Sequence, residues 1–285
     1  MKIIITGAVG LVGRHLHRHL GAENEILALN HRGLDITDRE KVRQFCLNYR
    51  PEIVINCAVI GVDECERDPT LAEAVNVSGP EFLAMATAEI GADFLHFSTN
   101  YVFEGEPLNR EPYTLDDEAR PINIYGSTKL AGEQAVQTAS PRSFIIRSSW
   151  IYGAGRDNFL SSAPRHLLSG EPIQAITDLW ANTTFAADLA KRVSEILTRR
   201  HYGIYHVVNS GVCTYYEFAL EVARLIGLSA ERTDRLIETL SEADANRQAR
   251  RPLYTPMRCL LSERLGLAPM RDWRQALADY VYLRD

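Results

Sequence analysis

Residues 2–16 read KIIITGAVGLVGRHL. Lys2 to Thr6 form a β-branched apolar run of strand length, and Leu11 to Leu20 carries helical periodicity directly after glycines at 7, 10 and 13. Strand, glycine turn and helix in that order is the arrangement that seats a dinucleotide. Gly7 permits the tight turn, Gly10 lets a pyrophosphate approach the backbone, and Gly13 lets helix and strand pack closely. The anion then lies at a helix N-terminus, where free N–H groups and the dipole favour it. One cation followed by apolar residues also starts a secretion signal, but Gly7 and Arg14 break the run early and no small-residue cleavage site follows.

The rest of the first half repeats the unit. EILAL (25–29), EIVINCA (52–58), DFLHFST (93–99) and SFIIRSS (143–149) are short apolar strands, separated by helical segments such as DREKVRQFCLNY and PEFLAMATAEIGA. The alternation predicts an α/β fold, a Rossmann-like doubly wound parallel sheet, whose ligands bind beyond the carboxyl ends of the strands. After about residue 153 the pattern loosens into EPIQAI, FAADLAKRVSEILTRR, GIYHVVN and YYEFALEVARLIG, read as strand, helix, strand and helix.

Composition sets the outer bounds. A chain of 285 residues with 46% hydrophobic and 24% charged residues buries a substantial core. A net charge of −6 without a Lys/Arg cluster gives no reason to expect nucleic acid or an anionic membrane as partner, and no segment approaches the ~20 apolar residues of a membrane span. Five cysteines without a CxxC pair argue against a disulfide framework or zinc site and fit a reducing cytoplasm.

The end of the second strand selects the nicotinamide cofactor. An acid there would bind the ribose 2′-hydroxyl and repel a 2′-phosphate. The chain instead has Asn30, His31 and Arg32, with no acid until Asp35, which favours NADPH over NADH, with Arg32 as the phosphate partner.

In PINIYGSTKLAGE, Tyr125 and Lys129 stand four apart on a predicted helix and project from one face. A phenol is a poor acid or base at neutral pH unless a cation lowers its pKa of about 10, and Lys129 is expected to do so. Thr99, at a strand end, can hydrogen-bond the same substrate oxygen.

TGAVGLVG, STNYVFEG, YGSTKLAGE and RSSWIYG together resemble an extended short-chain dehydrogenase/reductase, most closely the dTDP-4-dehydrorhamnose reductase family. The resemblance runs on through NCAVIGVDECERDP, PYTLDDEARPINIYG, GIYHVVNSG and, more loosely, RRPLYTPMRCLLSERLG. It implies a catalytic set of Thr99, Tyr125 and Lys129, with Gly7, Gly10, Leu11, Val12 and Gly13 at the pyrophosphate. Asp35, Ile36, Cys57, Ala58 and Val59 would flank adenine and ribose, Lys129 would also grip the nicotinamide ribose, and Asn100, Tyr101 and Trp150 would face the sugar. The implied reaction is reduction of the 4-keto group of a nucleotide-linked 6-deoxy sugar. The implied organisation is a dinucleotide-binding part, 1–152 and 176–210, with a smaller α+β substrate part, 153–175 and 211–285. A homodimer is common in the superfamily, although no patch of this sequence establishes one.

Three departures lie near the expected ligands: Asn100 in place of the family's usual Asp, Val62-Asp63-Glu64-Cys65-Glu66 after the third strand, and Trp180-Ala181-Asn182-Thr183-Thr184 where the family has YGxPT. Asn100-Tyr101 lacks the Asp-Glu pair of sugar-nucleotide dehydratases, since elimination needs a further acid and base. Two alternatives stay open: an epimerase using the same Tyr and Lys, and a non-catalytic NADP-binding subunit resembling the regulatory subunit of methionine adenosyltransferase. His15 and His19 read as a solvated helix face, Cys57 as a small core residue, LDDEAR as an exposed loop. The Arg-rich EADANRQARRPLYTPMR is either a solvated loop or a donor of Arg250, Arg251 or Arg258 to the substrate diphosphate.

Overall fold

The computed structural model describes residues 1–106 and 110–282, so 283–285 of the expected second part lie outside the described residues. The strands are β1 (Lys2–Thr6), β2 (Glu25–Leu29), β3 (Ile53–Asn56), β4 (Asp93–Thr99), β5 (Ser143–Ser148), β6 (Ile151–Tyr152), β7 (Ile173–Ile176), β8 (Thr184–Phe185), β9 (Gly203–His206) and β10 (Ile237–Leu240). The helices are α1 (Leu11–Leu20), α2 (Arg39–Tyr49), α3 (Val62–Arg67), α4 (Pro69–Glu73), α5 (Gly79–Ile90), α6 (Ile124–Ala139), α7 (Phe159–Ser169), α8 (Ala186–Arg199), α9 (Tyr215–Leu225), α10 (Ala230–Leu236), α11 (Leu260–Arg264) and α12 (Trp273–Tyr282).

Six strands form one parallel sheet in the order β2-β1-β3-β4-β5-β9. The order reverses at β1, so β1 and β3 flank the crevice where such sheets bind ligands. Every residue of β3, β4 and β5 is buried, because helices cover both faces. Ile3, Ile5, Leu95 and Ile146 pack against α8 on one face; Ile4, Val54, Phe94 and Ile145 pack against α2 and α5 on the other. The expected strands and helices of the first half all form, within a residue or two at their ends.

A second cluster collects Tyr152, Leu160, Phe218, Val222, Trp273 and Leu277 around α7, α9 and α12, with β7 and β10 paired in parallel beside it. The chain's last quarter serves both clusters. Leu261, Leu265, Leu267 and Met270 pack onto the large sheet's core before Trp273 enters the second one. No helix of the described residues is long and apolar enough to cross a membrane.

The buried Arg147, Glu133 and His206, between β5, β9 and α6, are paired with one another. Arg147 and Glu133 form a bidentate pair at 2.7 to 3.2 Å, with both side chains almost wholly buried. His206 accepts at Nε2 from Arg147 Nη1 at 3.5 Å and faces the Arg258 carbonyl with Nδ1 at 3.0 Å, so Nδ1 carries its proton. A second proton on Nε2 would meet the guanidinium, and burial together with that charge pulls His206 down to about 3 from 6.5. The unfolded chain therefore binds this proton first. Stability from neutral His206 is complete above pH 6.5 and is lost as pH falls toward 3, at up to about 1.4 kcal/mol per pH unit. Urea unfolding of His206→Gln between pH 6.5 and 4 should show a shallower loss of stability than the wild type, whatever its absolute stability; an equal slope would refute the assignment.

Candidate active site

The glycine turn has the geometry its sequence predicts. Gly7 has φ +64°, and a Cβ there would lie 2.5 Å from the Ala58 nitrogen, so the turn rests directly on the backbone leaving β3. A Cβ at Gly13 would fall 2.6 Å from Ala8 Cα, which fixes how closely α1 approaches the turn. Gly10 caps α1 in extended conformation without a side-chain hydrogen bond, and a Cβ there would touch only the Gly7 carbonyl at 3.2 Å. The first-turn N–H groups, among them those of Leu11 and Val12, lack intrahelical acceptors, so this end suits a pyrophosphate.

Around that turn, Asn30 Oδ1 accepts from the backbone N–H groups of Arg32 and Gly33, leaving His31 and Arg32 exposed on a shaped loop after β2. Asp35 accepts from Thr37 N–H and O–H at 3.0 and 2.7 Å. Ile36 is turned into the core, and a Cβ on Gly79 would clash with it. Cys57 and Ala58, against Gly7, are half-buried, and Val59 is exposed. Burial pushes the Cys57 thiol far up, in line with a packing role.

Tyr125, in the first turn of α6, lies beside the end of β4. The helix starts where Asn123 caps it, Oδ1 accepting from Gly126 N–H at 2.7 Å. The Tyr101 and Tyr125 rings meet edge to face at 5.9 Å. Thr99 hydrogen-bonds Tyr125, accepts from Tyr101 N–H at 3.1 Å and donates to Asn100 Oδ1 at 3.2 Å. Asn100 is buried and donates to Thr255 Oγ1 at 2.6 Å, so its amide ties β4 to the C-terminal segment.

The structure corrects the expected electrostatics. Desolvation pushes Tyr125 up to about 12 against the opposing Thr99 hydrogen bond, with Tyr101 and Cys65 adding to the rise; Lys129 is not among its perturbing groups. Lys129 is 1% exposed, and its Nζ donates to the Phe97 carbonyl at 2.6 Å and sits 3.0 Å from His96 Nε2. Its own pKa is pulled down to about 8 by desolvation, partly offset by Glu133.

The Arg-rich segment is not a plain solvated loop. Arg251 is buried, makes a bidentate pair with Asp63 at 2.7 and 2.8 Å, and donates to the Ala249 carbonyl. Arg251 holds the Asp63 carboxyl at about 2, below the usual carboxylate range. Arg250 and Arg258 are exposed and paired with Glu106 and Glu263. Trp150 is half-buried with φ +38° and stacks on Tyr215 at 4.0 Å, with Arg247 over the far ring at 5.9 Å. Through Tyr215 the indole shares a region with Tyr101 and with Arg251, whose positive charge reaches the Tyr215 phenol. His15 departs from the expected solvated face: it is half-buried, 3.2 Å from the Ala154 carbonyl and edge-on to Phe185, whereas His17 and His19 are exposed. LDDEAR is an exposed loop as expected.

Sequence reasoning missed His96, Asn56, Asn76 and Tyr215. For the first two a signal existed: a polar residue inside a run otherwise apolar enough to be buried on both faces. Asn76 sits in a π-helical turn, Ala74–Ser78, accepting from Ile60 N–H and donating to Thr128 Oγ1. Tyr215 opens α9 beyond a capping box on Thr214 and had no signal as a site residue.

A doubly wound sheet with a glycine turn, a strand-end threonine and Tyr-x-x-x-Lys on the adjoining helix defines the extended short-chain dehydrogenase/reductase class. The chain belongs to the RmlD substrate binding domain family, whose model matches residues 1–283. It is similar to dTDP-4-dehydrorhamnose reductase of Mycolicibacterium smegmatis, 39% identical over 284 residues, covering 98% of this chain and 85% of the relative. It is also similar to dTDP-4-keto-6-deoxy-D-glucose reductase of Streptomyces niveus, 34% identical and covering 96% and 94% of the two chains. Among solved structures, dTDP-4-dehydrorhamnose reductase of Bacillus anthracis in complex with NADP has a TM-score of 0.93, 32% identity and 99% coverage of both chains.

The seating of Tyr125 depends on Gly126, where a Cβ would lie 2.2 Å from the Tyr101 carbonyl oxygen. Backbone cannot yield as a flexible side chain can, so Gly126→Ala should cost about 1–3 kcal/mol in urea unfolding; an unchanged midpoint would show that the contact is not a constraint.

Proposed function

We propose that the chain is an NADPH-dependent reductase of the 4-keto group of a nucleotide-linked 6-deoxy sugar. The observation that carries this reading is Tyr125 beside Thr99 at the carboxyl end of β4, with Lys129 one turn along α6 held by the Phe97 carbonyl, at the same end of the sheet as the glycine turn. The names of the relatives and the NADP complex of the Bacillus anthracis protein support it.

Gly7, Gly10, Leu11, Val12 and Gly13 would seat the pyrophosphate, and Asn30, His31 and Arg32 the 2′-phosphate end, with Asp35, Ile36, Cys57, Ala58 and Val59 around adenine and its ribose. When bound, NADPH supplies the hydride that converts the carbonyl to an alkoxide. Tyr125 gives its phenolic proton to that oxygen, and Thr99 holds the oxygen by a hydrogen bond. Because Tyr125 stays protonated to about 12, the acid form is the resting form across the neutral range. Residues 1–152 with 176–210 form the cofactor half; 153–175 with 211–285 form the sugar half, with 259–270 crossing back onto the sheet. Tyr101, Trp150, Tyr215 and Arg251 line the sugar side, Asn100 acting from behind through Thr255. The enzyme works in the cytoplasm, which suits its five free cysteines.

Nicotinamide absorbance with a panel of nucleotide 4-keto-6-deoxy sugars tests the reading. Tyr125→Phe should lower kcat by about 10²- to 10⁴-fold with little change in NADPH Kd. An unchanged rate removes the acid role, and tight NADPH binding without turnover on any sugar points to a non-catalytic subunit. Arg32→Ala should weaken NADPH binding roughly tenfold or more while sparing NADH; equal losses would show that Arg32 does not meet the 2′-phosphate.

A further inference from the structure

Four arginines stand between 247 and 258, and three of them are closed off by partners. Arg251 is buried in its bidentate pair with Asp63, Arg250 meets Glu106 at the surface, and Arg258 pairs with Glu263. Arg247 differs. Its side chain is 29% exposed, it makes no hydrogen bond among the described residues, and its ionic contact is Nη1 to Glu242 Oε2 at 3.4 Å. The carboxylate is left equally incomplete: its side chain is 11% exposed, and no hydrogen bond among the described residues ends on Oε2. The short helical turn Ala243–Ala245 closes on Asn246 at φ +47°, a left-handed residue that brings Arg247 back toward Glu242.

Arg247 lies over the Tyr215 ring, 5.9 Å from its centroid, and Trp150 stacks on that ring at 4.0 Å. The charges of Arg247 and Arg251 both reach the phenols of Tyr101 and Tyr215, and Tyr101 meets Tyr125 edge to face. From the proton donor outward the order is therefore Tyr125, Tyr101, then Tyr215 with Arg247. A nucleotide-sugar has the same order, because its diphosphate hangs from C1, across the ring from the C4 carbonyl. A guanidinium offers five donors in a planar fork that matches phosphate oxygens two at a time, and at Arg247 none of the five is in a hydrogen bond. Glu242 is a poor substitute for such an anion, since a half-closed pair in a desolvated place returns less than its members lost on leaving water.

We propose that Arg247 takes the diphosphate of the substrate, and that Glu242, losing its counter-ion to the incoming anion, takes up a proton from solvent as the nucleotide-sugar binds. The inference rests on the reductase reading for the identity of the anion. The surroundings of Glu242 fit the second half. Desolvation raises its carboxyl above its ordinary value; Arg247 and Arg251 oppose the rise, and Asp178 and Asp63 add to it. Tyr101 and Tyr215 also face it, as phenols that burial keeps protonated. Moving Arg247 onto a phosphate takes one of two cations from the carboxylate and brings further negative charge beside it, and both changes favour the protonated form. Linkage sets the sign: the complex binds more protons than the free protein, so affinity for the diphosphate falls as pH rises through the range in which Glu242 titrates.

The test is isothermal titration calorimetry of the NADPH-loaded protein with dTDP-glucose and UDP-glucose, in two buffers of different protonation enthalpy at each pH. These probes have no ketone to reduce, and their phosphates are diesters that stay singly ionised throughout. The wild type should bind more weakly as pH rises and should take up a fraction of a proton at the acid end of the range. Arg247→Ala should weaken binding about 10- to 100-fold. Arg247→Lys, which keeps the charge and loses the fork, should fall between, and both should leave the NADPH Kd as it is. Glu242→Gln should tighten binding severalfold at neutral pH and abolish the proton uptake, whereas a merely structural carboxylate would give weaker binding and the same proton count. Arg250→Ala, at the surface, should change nothing. Unchanged affinity in Arg247→Ala, weaker binding in Glu242→Gln, or no proton uptake in the wild type would overturn the inference and leave the reductase reading in place. If the wild type binds NADPH and neither nucleotide-sugar, the reductase reading falls and the inference falls with it.

Discussion

Helix α6 lies against β4 with almost no freedom, and the site depends on that contact. Gly126 meets the Tyr101 carbonyl and Gly132 the Asn76 carbonyl at distances that exclude a Cβ, while Lys129 reaches the Phe97 carbonyl. The Arg147–Glu133 pair locks the middle of the helix to β5 from within the core. A buried pair of this kind stabilises little beyond what apolar residues would, yet losing one partner strands a charge, so it specifies register more than it adds stability. Tyr125 consequently stands beside Thr99 because the backbones on either side leave it no other place.

Much of this was legible in the sequence. The strands of the parallel sheet announce themselves because they are buried on both faces and read as continuous apolar runs, and α1 announces itself because three glycines precede it. Thr99, Tyr125 and Lys129 were legible by position, at a strand end and on one helix face. The partners of Lys129 were not. Periodicity assigns residues to elements, but the pairing of His96 with Lys129 comes from the register of β4 against α6, which no local pattern encodes. The long loop from 243 to 258 left two readings open for a related reason. Nothing local distinguishes its arginines, yet Asp63, nearly two hundred residues away, draws Arg251 inward and leaves Arg250 and Arg258 outside.

The proposed sugar side draws on distant stretches: Tyr101 after β4, Trp150 after β5, Tyr215 at the head of α9 and Arg251 near the C-terminus. Asn100 and Thr255 tie two of these stretches together, and Asp63 and Arg251 tie the latter to the loop after β3. Each departure from the family pattern noted in the sequence falls on or beside one of these ties. Asn182, in the third, donates to the Gly211 carbonyl and accepts from the Met257 N–H, fixing the same C-terminal segment. These positions lie at or beside the ties that hold the C-terminal segment, whereas Thr99, Tyr125 and Lys129 follow the common pattern.

The direction of the reaction bears on what Lys129 is for. A lysine cation is usually invoked to make the tyrosine more acidic, but reduction ends in an alkoxide whose basicity is comparable to hydroxide, the conjugate base of water at about 15.7. A phenol at about 12 already gives its proton to such an oxygen downhill, and burial keeps that proton in place until the alkoxide appears. Acidifying Tyr125 further would add driving force that the step does not need and would leave more tyrosinate at rest, unable to donate. Lys129, pulled down to about 8, is still mostly cationic at pH 7, with its Nζ held by the Phe97 carbonyl. The reverse oxidation starts from tyrosinate, so its rate should rise with pH toward about 12, whereas the reductive step keeps its proton donor across the neutral range.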